Sequence, residues 1–296
     1  MLEKILKASN TNYLLLKNGN IIESNIDIKK LEFNKDYKFV LIHNIDSDTV
    51  IKYDLFNNVH IEILELLNIS NDCNIKKVFN INDNSTLDII SIEASSNNSK
   101  VNINIESILN NNSTLNNMKI TLYQNDTKII ENSIINNSDS NLSNYNVYIN
   151  TFGKLLDINS KVTHKYKDSE SIMTNYGICK GGGKITINTD GVIEKGAKRT
   201  VVRQKSKGIL LDLDSTIEAN PWLEIDEYDC MANHGAGIGA IDEEELYYLM
   251  SRGLTRLNSE KLIIGGYVNP VIDKINELKF DEDITNAIKE FVNKYL

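Results

Sequence analysis

The chain is poor in several residue types, and each shortage argues against a class of protein. Only two of its 296 residues are proline and only one is tryptophan. Its three cysteines, Cys73, Cys179 and Cys230, lie far apart, and no two of them form a C-x-x-C pair. An odd number of widely spaced cysteines argues against a disulfide framework and against a closed zinc site. We therefore expect a reduced, intracellular protein.

Long apolar runs and an excess of basic charge are also missing. No stretch approaches the ~18 apolar residues that a membrane helix needs, and the N-terminus does not resemble a secretory signal. The formal net charge of −9 argues against a nucleic-acid partner. Residues 195–207 are the basic exception, and we interpret them as a solvated strand face. We expect a cytoplasmic protein with neither a membrane nor a nucleic-acid partner.

Asparagine is abundant, and it clusters with serine, aspartate and glycine between short apolar runs. Asparagine tolerates left-handed backbone conformations and closes tight turns. The runs alternate apolar and polar residues with the period of a strand that buries one face, from residue 60 to residue 240. Examples of the alternation are Val101, Ile103 and Ile105, then Met118, Ile120 and Leu122, then Ile185 and Ile187.

Residues 1–59, by contrast, form a mixed segment with one predicted hairpin at residues 14–22.

Many short strands with little helical periodicity leave a sandwich, a barrel or a β-solenoid as candidates. The linkers are short and irregular, and the strands lack a ladder of Asn-Gly hairpin turns, which favours the solenoid. No strict hexapeptide repeat is present, which disfavours a left-handed acyltransferase-type helix. Asparagines stacked in successive turns suit a right-handed parallel β-helix. We therefore predict a mainly β chain whose core, residues 60–240, is such a helix.

The last part of the chain, residues 241–296, changes to helical patterns. Asp242 is a predicted N-cap and Gly253 a left-handed exit, which together predict a helix over residues 243–252.

Two further helices are predicted after this one. The second begins near Thr255 or Ser259, and Pro270 is expected to end or kink it. The third follows Asp283, where an apolar stripe has helical spacing. We expect the three helices to form a small domain that covers the open end of the solenoid.

Cys230 and His234 are the candidate functional residues that the sequence singles out. They lie four positions apart, where the β-rich body meets the helical tail. A thiolate is the usual ligand of an iron–sulfur cluster, and imidazole can replace it. Two side chains cannot complete such a site, so a second copy or a partner has to supply the remaining ligands. The alternative interpretation is a buried thiol and a histidine that caps a turn.

The segment HGAGIGAIDEEELYYLMSRGL, which begins at His234, is followed closely by LIIGGY. Together they resemble the C-terminal signature of the SufB/SufD family, the scaffold proteins of the Suf iron–sulfur cluster assembly system. The upstream sequence from KGGGKITINTDG to NPWLEIDEYD is also similar to that family's core. The resemblance covers roughly residues 160–270.

This resemblance implies a right-handed parallel β-helix flanked by helices. It also implies that two subunits pair through their β-helices and that the C-terminal helices bind SufC, an ABC-type ATPase. A transient iron–sulfur cluster is then built near the subunit interface. The sequence KGGGK lacks the Ser/Thr and the spacing of a P-loop, so we expect no ATP site in this chain. The expected function is a non-enzymatic scaffold whose partner hydrolyses ATP.

Two positions place the chain nearer to the SufD type. In SufB-type chains a cysteine follows the glutamine that corresponds to Gln204, whereas Lys205 and Ser206 stand here. In SufB-type chains a glutamate follows the signature histidine, whereas Gly235 follows His234 here. Both SufB-specific groups are therefore missing, which leaves the route of sulfur entry open.

The resemblance implies that His234 is a cluster ligand. SufD-type chains can carry a cysteine two residues before this histidine, where this chain has Ala232 and places Cys230 two residues earlier. Because side chains alternate along a strand, these three residues share a face if the strand is unbroken, with the thiol displaced by ~6.6 Å. The short chain also resembles the scaffolds of minimal two-component systems, so the partner is either an identical chain or a SufB-like scaffold.

The C-terminal helices carry the residues that we expect to dock on the ATPase. We interpret Cys73 and Cys179 as structural, and His43 and His60 give no functional signal. His164 lies at a position similar to the family's and is equally consistent with a turn histidine. The candidate docking residues are Tyr247, Tyr248, Leu249, Met250, Leu262 and Tyr267.

Two functions of other classes are kept as alternatives. One is a β-helix enzyme, a polysaccharide lyase or hydrolase, in which two carboxyl groups on one face perform acid–base chemistry. The single tryptophan counts against it, because such enzymes are usually rich in aromatic sugar platforms. The other is a purely structural solenoid without a ligand. The acidic candidates for the enzyme are Glu218, Glu224, Asp226, Glu227 and Asp229.

Overall fold

A computed structural model describes residues 5–7, 9, 11–96 and 100–294 of the chain. Within them, eighteen strands precede three C-terminal helices: β1 (Tyr13–Lys17), β2 (Asn20–Ser24), β3 (Glu32–Phe33), β4 (Tyr37–Ile45), β5 (Thr49–Leu55), β6 (His60–Ile69), β7 (Cys73–Ile81), β8 (Thr86–Ser95), β9 (Lys100–Leu109), β10 (Thr114–Leu122), β11 (Asp126–Ile135), β12 (Asn141–Asn150), β13 (Leu155–His164), β14 (Glu170–Cys179), β15 (Lys184–Ile193), β16 (Thr200–Leu210), β17 (Thr216–Ile225), β18 (Cys230–Ala240), α1 (Glu243–Ser251), α2 (Arg256–Glu277) and α3 (Glu282–Asn293).

The strands form two sheets that extend along the molecule. Among the described residues, sheet A has the order β18-β16-β14-β12-β10-β8-β6-β4-β1-β2, and sheet B has the order β17-β15-β13-β11-β9-β7-β5-β3. From β3 onward, each strand pairs in parallel with the strand two ahead, so the chain winds as a solenoid of about eight turns. The predicted mainly β chain with a parallel β-helix is confirmed. The predicted hairpin is also present, as the antiparallel pair β1–β2.

The sheets continue across residue 60 toward the N-terminus. Strand β4 pairs with β6, and β5 pairs with β7, both in parallel. The strands of the first sixty residues therefore extend the same stack.

Side chains of the same type stack on successive turns because the pairing register is kept from strand to strand. In sheet B, Ile103, Ile129, Ile158 and Ile187 occupy equivalent positions on β9, β11, β13 and β15. All four are buried in one apolar core between the sheets. Burial of apolar area contributes about 25 cal/mol per Å², and each turn provides part of its neighbour's buried surface. The two-residue period in the sequence thus predicts the inward face correctly.

Asparagines stack in the turns as well as in the strands. Asn58, Asn84 and Asn112 close equivalent turns with φ angles of 61°, 56° and 52°. The side-chain amide of Asn84 donates to Asn58 Oδ1 at 3.1 Å, and that of Asn112 donates to Asn84 Oδ1 at 2.9 Å. Asparagine is favoured here because it adopts the left-handed conformation at low cost and bonds to its copy on the next turn.

The space between the sheets also holds charged groups. The Lys77 ammonium lies 2.7 Å from a carboxylate oxygen of Glu65 and 2.7 Å from one of Glu93, and all three side chains are at most 2% exposed. Tyr53 donates a further hydrogen bond to Glu65, at 2.6 Å, and Tyr123 donates one to Glu93. Burial by itself would raise the pKa of Glu93, but the nearby lysines outweigh burial and the net shift is downward. The Glu93 carboxylate therefore stays ionised beside the ammonium.

The C-terminal helices lie along the flank of the solenoid. Ile264, Val268 and Ile284 from the helices belong to one buried cluster with Ile90 and Val147 from the outer face of sheet A. By contrast, nearly all of β18, at the end of the stack, is exposed. The expected cover over the open end is therefore wrong, because the outer face of sheet A offers a larger apolar surface than the last turn.

Two helix boundaries differ from the predicted ones. Pro270 does not end α2, which continues to Glu277. Val271, Ile272 and Ile275 beyond the proline are buried against the helical cluster, and this packing outweighs the lost backbone hydrogen bond. Helix α3 begins at Glu282, because Asp281 is its N-cap. The first helix agrees with its predicted caps: Asp242 accepts from two backbone amides, and Gly253 has φ +95°.

The buried ion network leads to a prediction about stability. Substitution Lys77→Met keeps the side chain's bulk but removes the ammonium that contacts both Glu65 and Glu93, which are two buried carboxylates. We expect a loss of about 3–5 kcal/mol in the free energy of unfolding, measured by urea denaturation at neutral pH. The matched control is Lys76→Met, which removes a half-exposed ion pair with Glu106 and is expected to cost less than about 1 kcal/mol. Equal losses for both variants would contradict this account.

Candidate functional site

The last turn of the solenoid leaves the edges of its two terminal strands uncovered, β17 in sheet B and β18 in sheet A. Strand β18 pairs with β16 on one side and is the terminal strand of sheet A among the described residues. It is eleven residues long, and all of its residues from 233 onward are exposed. An exposed strand edge presents unpaired backbone donors and acceptors, which makes it a template for pairing with another chain. The body of the protein thus ends in a surface suited to strand addition.

Cys230 and His234 lie on this terminal strand and point to the same side. Cys230 is the register partner of Thr200, and His234 is the partner of Gln204. Thr200 and Gln204 are buried between the sheets, so both candidate ligands face the open interior of the last turn. Ala232 has the same orientation and packs beside Cys230 on a small apolar cluster. The predicted common face of these three positions is therefore present in the structure.

The two candidate ligands differ in their surroundings. The Cys230 thiol is partly buried and donates to the Glu227 carbonyl oxygen at 3.1 Å. Partial burial, followed by the negative charges of Glu227 and Asp229, raises the pKa of this thiol. His234 is exposed. Cys230 is therefore a neutral thiol in the isolated chain, and a bound metal ion would have to replace its proton.

The two positions that differ from SufB-type chains are neighbours in the structure. Lys205 on β16 is the register partner of Gly235 on β18. Their side of the sheet is the outer one, opposite to His234, since strand residues alternate. The Lys205 ammonium lies 5.9 Å from the centre of the Tyr176 ring. The two positions at which the resemblance led us to compare this chain with SufB-type chains are therefore adjacent on the outer face.

Three glycines give the outer side of β18 a bare backbone. Gly235, Gly237 and Gly239 occupy alternate positions, and a Cβ atom placed on any of them would have no neighbour within 4 Å. Their backbones are not in the left-handed region. Neither packing nor conformation within this chain therefore requires glycine here.

The candidate docking residues divide into exposed and internal ones. Tyr247, Tyr248, Met250 and Leu262 are large apolar side chains exposed on α1 and α2, with exposed fractions from 42% to 76%. Leu249 is half-buried. Tyr267 instead joins α2 to sheet A: its ring centre lies 4.8 Å from that of Tyr176, with the two planes tilted by 50°, and its carbonyl oxygen accepts from Tyr145 at 3.0 Å. Leu257, which is 52% exposed on α2, is a further surface residue that the sequence pattern did not reveal.

Ion pairs fix the first helix relative to the second. The Arg256 guanidinium contacts Glu243 at 2.7 Å and Glu260 at 3.1 Å, which ties α2 to the start of α1. Glu260 also lies 3.5 Å from the ammonium of Lys180, just after β14. The exposed side chains of α1 are thus held on a positioned helix.

Three other histidine and cysteine side chains, those of His164, Cys73 and Cys179, are buried away from β18. His164 is buried, with Ser169 and Ser171 each 2.8 Å from one ring nitrogen, and burial lowers its pKa to about 4. Cys73 and Cys179 are buried, and burial is the main factor that raises the pKa of each. These groups are inert under neutral conditions, which supports the structural interpretation.

Two of the acidic candidates for carbohydrate chemistry have surroundings that do not favour a general acid. Glu218 forms an exposed ion pair with Lys184 at 2.9 Å. Hydrogen bonds from backbone amides lower the pKa of Glu227, which is the wrong direction for a general acid. The group of three metal-ligand side chains found among the described residues lies elsewhere, at His60, Glu62 and Asp88.

None of the described helices is both long enough and apolar enough to cross a membrane.

Comparisons with known proteins find relatives that are named as iron–sulfur cluster assembly proteins. The chain is similar to the iron–sulfur cluster assembly protein SufD of Bacillus subtilis, with 36% identity over 116 residues, which are 39% of this chain and 26% of the relative. It is similar to an iron–sulfur cluster assembly SufBD family protein of Staphylococcus saprophyticus, with 27% identity over 139 residues, 46% of this chain and 29% of the relative. The matched segments span less than a third of either relative.

The family described as SUF system FeS cluster assembly, SufBD core domain, matches residues 60–267, which include all strands from β6 to β18. Because this match covers more than half of the chain, the protein belongs to the SufBD core family.

Proposed function

We propose that this protein is a scaffold subunit for iron–sulfur cluster assembly, with no catalytic site of its own. It pairs with a second scaffold through the edge of β18, and it carries the nascent cluster as cargo at that seam. The observation that carries the proposal is the uncovered terminal strand with Cys230 and His234 on its inward side. Membership in the SufBD core family supports the same role.

The spacing of the two ligands explains why a second chain is needed. A strand rises about 3.3 Å per residue, so the Cα atoms of Cys230 and His234 are separated by about 13 Å. A single iron with ligand bonds of about 2.0–2.3 Å, the range for nitrogen and sulfur ligands, cannot bind both side chains of one straight strand. The second ligand of each iron therefore comes from another chain.

An antiparallel pair of β18 strands brings the ligands together. If the two-fold axis passes through Ala232, residue 230 of each chain lies directly opposite residue 234 of the other. Directly opposed residues in an antiparallel pair have Cβ atoms about 4.5–5.5 Å apart. Each Cys230 thiol then faces a partner imidazole inside the joined solenoids. We propose this register for a pair of identical chains, and a SufB-like scaffold in place of one copy is the alternative.

We propose that the C-terminal helices dock on a SufC-like ABC ATPase. Four exposed side chains, those of Tyr247, Tyr248, Met250 and Leu262, supply aromatic and apolar anchors of the kind that dominate binding energies at interfaces. The ATP site then belongs to the partner, and ATP-driven movement of two docked motors would open or close the scaffold seam.

We propose a different role for each of three regions of the chain. Residues 60–240 form the scaffold core, residues 241–296 form the docking region, and residues 1–59 extend the stack at its other end. We place the role in the cytoplasm, in keeping with three free cysteines. The carbohydrate enzyme and the ligand-free solenoid remain as alternatives that the experiments below would favour if the cluster site fails.

Cross-linking tests the proposed pairing. In a Cys230→Ser background, Ala232→Cys places two thiols opposite each other at the proposed axis, and mild oxidation is expected to give a disulfide-linked dimer on a non-reducing gel. The matched control, Ala236→Cys, lies on the same face but about 26 Å from its own copy, and it is expected to stay monomeric. A dimer in solution whose Ala232→Cys variant does not cross-link would refute this register.

Anaerobic reconstitution with iron and sulfide tests the ligand role of His234. The unmodified protein is expected to develop the broad visible absorption of an iron–sulfur cluster. Substitution His234→Ala is expected to reduce that absorption at least severalfold, since one ligand at each iron is lost. Asn233→Ala changes the adjacent exposed residue, which points to the other side, and should leave the spectrum unchanged. An unchanged spectrum for His234→Ala would remove this residue from the site.

Point substitutions test the docking surface better than truncation. Removal of the helices would uncover the apolar flank of sheet A and cause aggregation. The double variant Tyr247→Ala/Tyr248→Ala is instead expected to weaken binding of the ATPase, measured by co-purification, by about 30-fold or more, since the loss of even one interface anchor costs about 2 kcal/mol. Tyr228→Ala is the control, because Tyr228 is fully exposed and precedes β18. Undiminished binding by the double variant would show that the ATPase docks elsewhere.

A further inference from the structure

A second group of ligand-type side chains lies on the outer face of sheet A, far from β18. It consists of His60 and Glu62 on β6 and Asp88 on β8. One ring nitrogen and two carboxylate oxygens lie within 4.8 Å of one another. We propose that these three residues form a binding site for a divalent transition-metal ion.

The pairing of the two strands sets the geometry of this site. Glu62 and Asp88 are register partners in neighbouring parallel strands, so their side chains leave the sheet side by side. His60 precedes Glu62 by two positions and therefore projects from the same face. The His60 Nε2 atom already lies 2.7 Å from Asp88 Oδ2. The ion would need only to separate these two atoms slightly, because ligand atoms around a bound ion are about 3 Å apart when its bonds are about 2.1 Å.

Neighbouring side chains orient the carboxylates. Asn116, the register partner of Asp88 on β10, donates to Asp88 Oδ1 at 2.7 Å and leaves Oδ2 toward His60. Lys38, the register partner of Glu62 on β4, lies 2.9 Å from Glu62 Oε2. Metal-ligating carboxylates are usually supported by such outer hydrogen bonds. The site therefore has its ligand atoms in place, and Asn116 supports one of its two carboxylates.

The donor set selects the class of ion. One imidazole and two carboxylates suit Fe²⁺, Mn²⁺, Co²⁺ or Zn²⁺, whereas soft Cu⁺ favours sulfur and Ca²⁺ favours an all-oxygen shell. The His60 side chain is 49% exposed, so water can fill the remaining positions around the ion. An open site of this kind exchanges its ion readily.

The positive charge of Lys38 is expected to weaken metal binding at this site. Its ammonium sits beside Glu62, donates to the carbonyl oxygen of Leu278 at the end of α2, and lies 5.0 Å from the centre of the Phe280 ring. A positive charge next to a ligand repels a cation and occupies part of the carboxylate. Removal of this charge is therefore expected to strengthen metal binding, the opposite of the effect of removing a ligand.

The site is independent of the proposed cluster seam. Strand β6 is six strands away from β18 in sheet A, which corresponds to about 29 Å. Variants at the two places can therefore be assigned to separate functions.

Titration of the metal-free protein with Co²⁺ alone tests the proposal. The unmodified protein is expected to develop visible d–d absorption that saturates at one ion per chain. His60→Gln and Asp88→Asn, both substitutions of partly exposed residues, are each expected to weaken Co²⁺ binding by about tenfold or more. Lys38→Met keeps the apolar stem beside Phe280 and is expected to tighten binding severalfold. Circular dichroism checks that each variant is folded.

His234→Ala and Cys230→Ser serve as the matched controls, and both are expected to leave the Co²⁺ titration unchanged. Loss of the signal in these controls, or thiolate-to-cobalt charge-transfer absorption, would assign the ion to the terminal strand and overturn the proposal. Absence of Co²⁺ binding to the unmodified protein, or undiminished binding to His60→Gln/Asp88→Asn, would also overturn it. None of these outcomes changes the expected result of the iron–sulfide reconstitution, so the two proposals fail separately.

Discussion

The backbone hydrogen-bonding register between strands two apart in the chain is the constraint on which the rest of this structure depends. Each turn copies the register of the turn before it, so a residue's neighbours above and below are fixed by its position along the strand. This copying places isoleucine on isoleucine in the core and asparagine on asparagine in the turns. It also places Glu62 beside Asp88 and His234 beside Gln204. Core, turns and both candidate sites therefore have one structural origin.

A solenoid built in this way has two kinds of surface, its ends and its flanks, and each is either covered or left exposed. The flank of sheet A is apolar along much of its length, and α2 and α3 cover it. The end of the stack at β18 carries mainly glycine, alanine and polar residues, with Met231 and Ile238 as its large apolar side chains, and it remains exposed. A strand edge with little apolar area gives helices less to bury than the flank does, whereas its free backbone groups suit another strand. The same chain thus separates a surface for its own helices from a surface for a partner.

Buried charge is the unusual feature of the interior. Lys77, Glu65 and Glu93 form a closed group with two tyrosines between the sheets, where apolar side chains would pack with less desolvation cost. Further along the stack, several inward side chains, among them Lys119, Glu131 and Asn144, have buried polar atoms that lack a hydrogen-bond partner in the described part of the chain. Buried polar atoms of this kind are usually satisfied by ordered water. The interior between the two sheets therefore holds a polar group of side chains as well as its apolar core.

The sequence favoured the parallel β-helix over a sandwich or a barrel, and by itself it determined the strand period, the helix caps at Asp242 and Gly253, and the common face of Cys230, Ala232 and His234. These follow from local rules: alternation along a strand, the left-handed preference of asparagine and glycine, and side-chain capping. Only the tertiary structure decided that α2 continues past Pro270, that the helices cover the flank, and that Tyr267 packs inward against Tyr176. It alone brought His60 and Glu62 next to Asp88, which is more than twenty residues away in the chain. Such contacts depend on the exact number of residues in each turn and on which surface buries the most apolar area, and neither is encoded in a local pattern.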